Sequence, residues 1–236
     1  MLTIENLTVK FGNRTIFQNA DAVFAPSVLT ALVGRNGSGK STLMHIIAGI
    51  GVPYSGRLLF DGTDMRGITH SRLARTVAYV GTRRVRVTDM TCRQSVAMGR
   101  SPYTNWLGHL SAEDKSIVDE SLRMTGMDSF SGRTLDKLSD GEYQRVMIAQ
   151  ALAQQTPVIM LDEPTSFLDV PSRRRLCELL RTLAHDNGKC IVFSTHELEL
   201  TKQYADYTAL IDNQKITVMS AAAAETAEHI NRAFGI

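Results

Sequence analysis

The sequence predicts an α/β fold in which a mostly parallel sheet is interrupted by a helical insertion. Three observations carry this expectation. Continuous apolar runs at 28–33, 158–161 and 190–193 read as strands covered on both faces, as a parallel sheet requires. The first run leads directly into a glycine-rich segment, 34–39, and then into the apolar stretch 42–48, so the order is strand, glycine loop, buried helix. From about residue 85 to 155 the pattern changes to helical, and strand character returns only afterwards.

The elements follow in order. Leu7, Val9 and Phe11 alternate with polar residues up to Gly12-Asn13, and Thr15-Ile16-Phe17 resumes beyond, so an antiparallel pair with a tight turn opens the chain. Leu58-Leu59-Phe60 before Asp61-Gly62 is a further strand and turn, and 76–80 is another apolar strand. In the insertion, Ser111-Ala-Glu-Asp114 forms a capping box ahead of Ile117, Val118, Leu122 and Met124, which share one broad helical face. Pro171 suits a first helical turn, and Leu176, Leu179, Leu180 and Leu183 repeat at helical spacing until Gly188 ends the helix. A last strand pair turns around Asp212-Asn213, and the run Ala221 to Ala224 reads as the start of a small-residue helix. No internal repeat is visible.

Length and composition bound the function. The 236 residues allow one large domain or a domain with a sizeable insertion. With 26 Lys and Arg against 24 Asp and Glu, a net charge of +2 and 43% hydrophobic residues, the chain resembles an ordinary globular protein. That balance argues against strong non-specific nucleic-acid binding, and no nucleic-acid partner is expected. No uncharged apolar stretch approaches the roughly 18 to 20 residues of a membrane span, the best run, 43–52, being short and containing His45. The N-terminus alternates like a strand and does not read as a secretory signal. Cys92, Cys177 and Cys190 lack metal or redox spacing, which suits a reducing compartment. His45, His70, His109, His185 and His229 also lack ligand spacing, and Arg173-Arg174-Arg175 reads as a solvated helix face.

The chemistry starts at Gly34-Arg35-Asn36-Gly37-Ser38-Gly39-Lys40-Ser41, which satisfies G-x-x-x-x-G-K-[ST] between a strand and a helix. Glycines let the backbone curl so that successive N–H groups point at phosphate oxygens, and the helix N-terminus adds a favourable field. Lys40 would sit on the β- and γ-phosphates, Ser41 would bind Mg²⁺, and Thr42 would add a hydroxyl near the α-phosphate. Asp162 and Glu163 follow the strand 158–161 at its carboxyl end, where open α/β sheets bind ligands. Asp162 would hold Mg²⁺ through water, and Glu163 would polarise or deprotonate the water that attacks the γ-phosphate.

Leu138-Ser139-Asp140-Gly141-Glu142 resembles the signature segment of ABC-type ATPases, normally L-S-G-G-Q. Ser166-Phe167-Leu168-Asp169 resembles that family's D-loop and Ser194-Thr195-His196 its H-loop, in the same order along nearly the whole chain. The resemblance implies a P-loop NTPase core with an antiparallel β subdomain and an inserted α-helical signature subdomain. The core would take 1–84 and 156–236 of a single domain, and the helical part about 85–155. It further implies that Ser139 and Gly141 cap ATP held by the phosphate loop of a second copy, so that two ATP molecules lie between two chains. His196 would contact the γ-phosphate, Asp169 would bridge the two sites, and Phe11 would stack on adenine or else serve as a core strand residue. The chain departs from the family pattern in two segments. Asp140 and Glu142 replace the usual glycine and glutamine of the signature. After Tyr79-Val80, Thr82 stands where the family usually has a glutamine; a threonine can coordinate Mg²⁺ or water, with a shorter reach, so coupling through this loop is expected to be altered. Arg83, Arg84 and Arg86 beside it face a phosphate, a partner or simply solvent.

Within the family, Val96-Ala-Met-Gly99-Arg100-Ser-Pro102-Tyr103, Thr195-His196-Glu-Leu198 and the ending Asn231 to Ile236 resemble ATPase subunits for iron-siderophore, haem and cobalamin uptake. This implies an ATPase at the cytoplasmic face of the cell membrane, working with integral membrane permease subunits and, indirectly, a substrate-binding protein. Tyr103 and Trp106 lie where such a permease would dock, or pack within the helical subdomain. A soluble ABC ATPase of metal-cluster assembly or another non-transport process is the alternative, and an ATP-independent interaction protein is a third.

Overall fold

The structure, a computed structural model, describes residues 1–82, 87–105, 108–166 and 168–235. Strands β1 (Leu2–Phe11) and β2 (Arg14–Phe24) form the predicted antiparallel hairpin, with Gly12 in the left-handed region at the turn (φ 57°). β4 (Ser55–Phe60) pairs with the other side of β1 and carries the short β5 (Thr63–Asp64), giving the order β2-β1-β4-β5. The second sheet has β3 (Val28–Gly34) near its centre, with β6 (Val77–Val80), β7 (Val158–Leu161), β8 (Cys190–Ser194), β9 (Tyr207–Asp212) and β10 (Lys215–Ser220) in the order β10-β9-β3-β8-β7-β6. Only the β9–β10 hairpin is antiparallel there; the other neighbours run parallel.

Period-two alternation in the parallel strands separates two cores. Leu32 of β3 and Val192 of β8 face the side of Phe17, Phe24 and the helix α1 (Lys40–Ile47). Leu29, Ala31 and Val33 face the other side with Ile191, Phe193 and the helix α6 (Val170–Asp186). On α6, Leu176, Leu180 and Leu183 are buried and Leu179 lies at the edge of the same cluster, as the spacing predicts. Each fully buried leucine contributes about 1.5–3 kcal/mol of burial free energy.

The stretch between β6 and β7 is helical as expected, with α3 (Cys92–Ala97), α4 (Ala112–Met124) and α5 (Asp140–Ala153). Cys92, Val96, Val118, Leu122, Leu138 and Val146 form a third cluster of their own. The capping box at Ser111 is present: its hydroxyl accepts from the Asp114 amide and the Asp114 carboxylate accepts from the Ser111 amide at 2.9 Å. Asp114 does a second job. Its Oδ1 accepts from the buried Arg100 Nε at 2.8 Å, while Arg100 Nη1 donates to the Ala153 and Gln155 oxygens. Arg100 also lies over the Tyr103 ring at 4.0 Å, Arg75 lies over the same ring at 4.8 Å, and the Tyr103 hydroxyl donates to the Gln154 carbonyl. Tyr103 is therefore a packing residue held between two guanidinium groups. Trp106 lies outside the described residues.

The Arg100 bond, followed by those from Ser111, holds the Asp114 carboxyl below its ordinary range of about 4. A depressed folded value means that Asp114 stabilises the fold at neutral pH and that this contribution fades as pH falls through the folded value. Asp114→Asn is expected to lower stability by about 3 kcal/mol at pH 7, because Arg100 is left buried without its anion. Urea titrations at pH 7 and at pH 3 check this: the gap between native and variant should narrow at the lower pH.

One boundary differs from expectation. The last helix, α8, begins at Ala224 (Ala224–Phe234), after the alanine run has made a turn. The Ala221 amide donates to the Asp206 carbonyl and the Ala223 amide to the Ser220 carbonyl, which diverts both from helical pairing. The short helices α2 (His70–Ala74) and α7 (Leu198–Tyr204) complete the fold. All three cysteines are buried and free, and burial pushes the thiols of Cys177 and Cys190 up to about 12. Among the described residues no helix is long and apolar enough to cross a membrane.

Candidate active site

Because β3, β6, β7 and β8 run parallel, their carboxyl ends lie along one edge of the sheet. The phosphate loop follows β3, Thr82 follows β6, Asp162 and Glu163 follow β7, and His196 follows β8.

The loop is tight for reasons visible in its glycines. A Cβ at Gly39 would lie 2.6 Å from Ile16 Cγ2, and Gly39 also adopts φ 112°, a backbone that L side chains rarely adopt. At Gly34 a Cβ would lie 2.8 Å from the Ile211 carbonyl oxygen. Ser38 N donates to the Arg35 carbonyl at 3.0 Å, closing the curl. Lys40 is 7% exposed, and its ammonium donates to the Gly34 carbonyl at 2.8 Å and the Arg35 carbonyl at 3.4 Å. Burial lowers its pKa, while the nearby Glu163 and Asp162 carboxylates act the other way.

A cavity of about 570 Å³ opens over this loop, lined by Phe11, Arg14, Lys40, Ser41, Thr42 and Glu163 together with Asn36, Gly37 and Gly39. Phe11 is 49% exposed, so it is not a core residue; its ring stands at the mouth of the cavity. Arg14 has no motif to announce it. Its guanidinium donates to the Gly37 carbonyl at 2.9 Å, clamping the loop to the start of β2 across 23 residues of sequence.

Asp162 is 5% exposed at the end of β7, and its Oδ1 accepts from the Ser194 hydroxyl at 2.7 Å. The same Ser194 oxygen accepts from the Glu163 amide at 2.7 Å, so one β8 hydroxyl sets both acids. Glu163 occupies the left-handed region at φ 47°, a conformation that costs a non-glycine residue on the order of 1 kcal/mol and that the Ser194 bond holds in place. Its Oε2 accepts from the Ser166 hydroxyl at 3.0 Å. The H-loop is anchored by the Thr195 amide on the Leu32 carbonyl, leaving the His196 ring exposed. Glu197 beyond it accepts from Arg173 Nη1 at 2.6 Å, and Arg173 Nε donates to the Leu168 carbonyl. Arg173 thus ties the loop after β8 to the start of α6, whereas Arg174 and Arg175 are exposed as expected of a solvated helix face.

The signature residues stand apart from this cavity. Ser139 caps α5 in a reciprocal box: its hydroxyl accepts from the Glu142 amide, and the Glu142 carboxylate accepts from the Ser139 amide and hydroxyl at 2.8 Å each. These bonds hold the Glu142 carboxyl below its ordinary range. Gly141 lines a different cavity, of about 350 Å³, with Leu168 and Ser172. Asp169 caps α6 by accepting from the Ser172 amide at 2.9 Å, which depresses its carboxyl as well. Thr82 is exposed at a bend after β6 and is not among the residues that line the cavity over the phosphate loop, while Arg83, Arg84, Arg86 and Phe167 lie outside the described residues.

Residues 17–166 match the family model described as ABC transporter. The chain belongs to the ABC transporter family. As an ATP-binding protein of that family it is an ATPase. It is 37% identical over 90% of its length, and 79% of the relative's, to the achromobactin transport ATP-binding protein of Dickeya dadantii (strain 3937). With the ferric enterobactin transport ATP-binding protein of Escherichia coli (strain K12) it shares 31% identity over 98% of this chain and 86% of the relative. A solved ABC transporter in an inward-facing conformation, assigned to the metal-chelate type, superposes with a TM-score of 0.86 at 26% identity, over 100% of this chain and 89% of that one.

Proposed function

We propose that this chain is the ATP-hydrolysing subunit of an importer for iron-siderophore complexes or related iron chelates, haem or cobalamin. Two copies would sit beneath integral membrane permease subunits at the cytoplasmic face of the membrane, with a substrate-binding protein delivering the cargo. The observation that carries the paired arrangement is the separation within one chain: the phosphate loop and Glu163 line one cavity, and Gly141 of the signature lines another. A second copy supplies the missing wall, its Ser139 hydroxyl and Gly141 amide at a helix N-terminus facing the γ-phosphate. The transport names of the relatives support the cargo class.

In this reading the core spans 1–84 and 156–236 and the helical part about 85–155, a division supported by the separate hydrophobic cluster of α3 to α5. Lys40 binds the β- and γ-phosphates, the amides of 34–39 cradle the chain of phosphates, Thr42 meets the α-phosphate and Phe11 covers adenine. The donor set fits Mg²⁺: Ser41 offers an accessible hydroxyl at the cavity and Asp162 a carboxylate fixed by Ser194, both hard oxygens, and ATP supplies further oxygens. The cation neutralises charge on the phosphates when bound. Glu163 takes the proton of the attacking water, His196 contacts the γ-phosphate, and Asp169 meets the partner copy.

A groove of about 350 Å³ between β6 and α5, lined by Met90, Met98, Leu135, Tyr143 and Met147, supports permease docking. Met98 is 52% exposed there, and methionines suit an apolar helix seated against them. Thr82 borders this region with a side chain two heavy-atom links shorter than glutamine. Thr82→Gln is expected to leave ATP binding and hydrolysis by the isolated chain unchanged and to alter stimulation by the membrane subunits; a large loss of hydrolysis would assign Thr82 a role of its own. The reading as a whole is tested by native expression and detergent purification. Recovery with an integral membrane protein, and loss of uptake of iron chelates, haem or cobalamin in a strain lacking the chain, are expected; purification with no membrane protein would overturn it.

A further inference from the structure

Asp162 has a second contact that no motif announces. The Tyr79 hydroxyl, next to the end of β6, lies 3.4 Å from Asp162 Oδ2 and 3.0 Å from Nε2 of His45 on α1. The rings of His45 and Tyr79 meet edge to face, 5.2 Å between centroids at 74°. Main-chain pairing fixes this geometry: Tyr79 is opposite Met160 in the parallel β6–β7 ladder, and the Asp162 amide donates to the Val80 carbonyl at 2.8 Å.

The direction of the hydrogen bonds follows from chemistry. An ionised carboxylate only accepts, so the Tyr79 phenol donates to Asp162 Oδ2; in the Nε2–H tautomer His45 in turn donates to the phenol oxygen. Both oxygens of Asp162 are therefore held, Oδ1 by Ser194 and Oδ2 by Tyr79. Rotation of the carboxylate about its last bond is thus restrained from both sides.

We propose that Tyr79 is a positioning residue for Asp162, joining the phosphate-loop helix through His45 to the carboxylate that faces Mg²⁺. It rests on the assignment of Asp162 made above. In a chain with Thr82 beside it in place of a longer amide, Tyr79 supplies from β6 an anchor for the metal side of the site. Its ring also borders the groove beside α5, with a Gly81 Cβ position only 3.2 Å from its Cε1.

The test is Tyr79→Phe in the full chain, read by the affinity for a fluorescent, non-hydrolysable ATP analogue with excess EDTA and with saturating Mg²⁺. EDTA affinity should match the native chain, which also reports an intact fold. The gain in affinity on adding Mg²⁺ should fall about tenfold, the size of one hydrogen bond to a charged group, and the Mg²⁺ needed for half-maximal ATP hydrolysis should rise alongside. An unchanged Mg²⁺ gain overturns the proposal. Asp162→Asn separates the two layers: if that variant keeps the native Mg²⁺ gain, the assignment of Asp162 falls, whereas a loss in Asp162→Asn without one in Tyr79→Phe removes Tyr79 alone. Should Tyr79→Phe not fold, His45→Leu carries the test by removing the donor behind the phenol; a reduced Mg²⁺ gain supports the chain of bonds and a native value overturns it.

Discussion

Glu163→Gln is expected to bind ATP as the native chain does and to hydrolyse it about 10²- to 10⁴-fold more slowly, the usual worth of a positioned general base. The substitution replaces one oxygen by an NH₂ group of the same size. The left-handed backbone at φ 47° and the amide bond to Ser194 do not depend on the carboxylate, and the Ser166 hydroxyl can still donate to the remaining carbonyl oxygen. What disappears is a group able to take a proton from water beside Lys40, Ser41 and Thr42 in the same cavity. In the proposed paired arrangement, ATP that is not hydrolysed would stay between two copies, so gel filtration of this variant in ATP is expected to show a dimer. Normal turnover by this variant would remove Glu163 from the role of base.

Lys40→Ala acts one step earlier, on binding. The native ammonium is nearly enclosed, tied to the Gly34 and Arg35 carbonyls and attracted by Glu163 and Asp162. Alanine removes the positive charge proposed to meet the phosphates and leaves two loop carbonyls without their donor. Loss of one partner from such a desolvated charge pair costs enough to weaken ATP binding by at least about thirtyfold. Equilibrium binding of a fluorescent ATP analogue measures this directly. Because α1 is held by Leu43, Met44, Ile46 and Ile47 in the core, the variant should fold normally, and a native affinity would take the phosphate contact away from Lys40.

Much of this site is legible in the sequence, for a local reason. The loop 34–41 needs glycine where a Cβ would strike Ile16 or the Ile211 carbonyl, and a lysine immediately after it; these requirements are met by neighbours in the chain. The boxes at Ser111 and Ser139 likewise close within three residues, and the apolar runs of β3, β7 and β8 announce strands buried on both sides. Phe11 was open between an adenine platform and a core residue, because an alternating strand leaves its last side chain on either face; its 49% exposure at the cavity mouth decides against the core. Tyr103 packs beneath the guanidinium groups of Arg75 and Arg100, contacts that no short stretch of sequence announces.

By itself, then, the sequence determined the chemistry available to this ATPase: a phosphate-binding backbone, two acids at the end of a strand, and a capped helix bearing a serine and a glycine. Tertiary structure alone decided which groups hold that chemistry in place. Arg14 reaches Gly37, Ser194 sets both Asp162 and Glu163, Arg173 ties down Glu197, and Tyr79 links His45 to Asp162. These contacts join residues far apart in the chain; those of Ser194 and Tyr79 exist because β6, β7 and β8 are neighbours in the order β10-β9-β3-β8-β7-β6, and Arg14 reaches the loop from the other sheet. Strand order is set by burying both faces of the sheet at once, a collective balance of packing that no short window of residues contains.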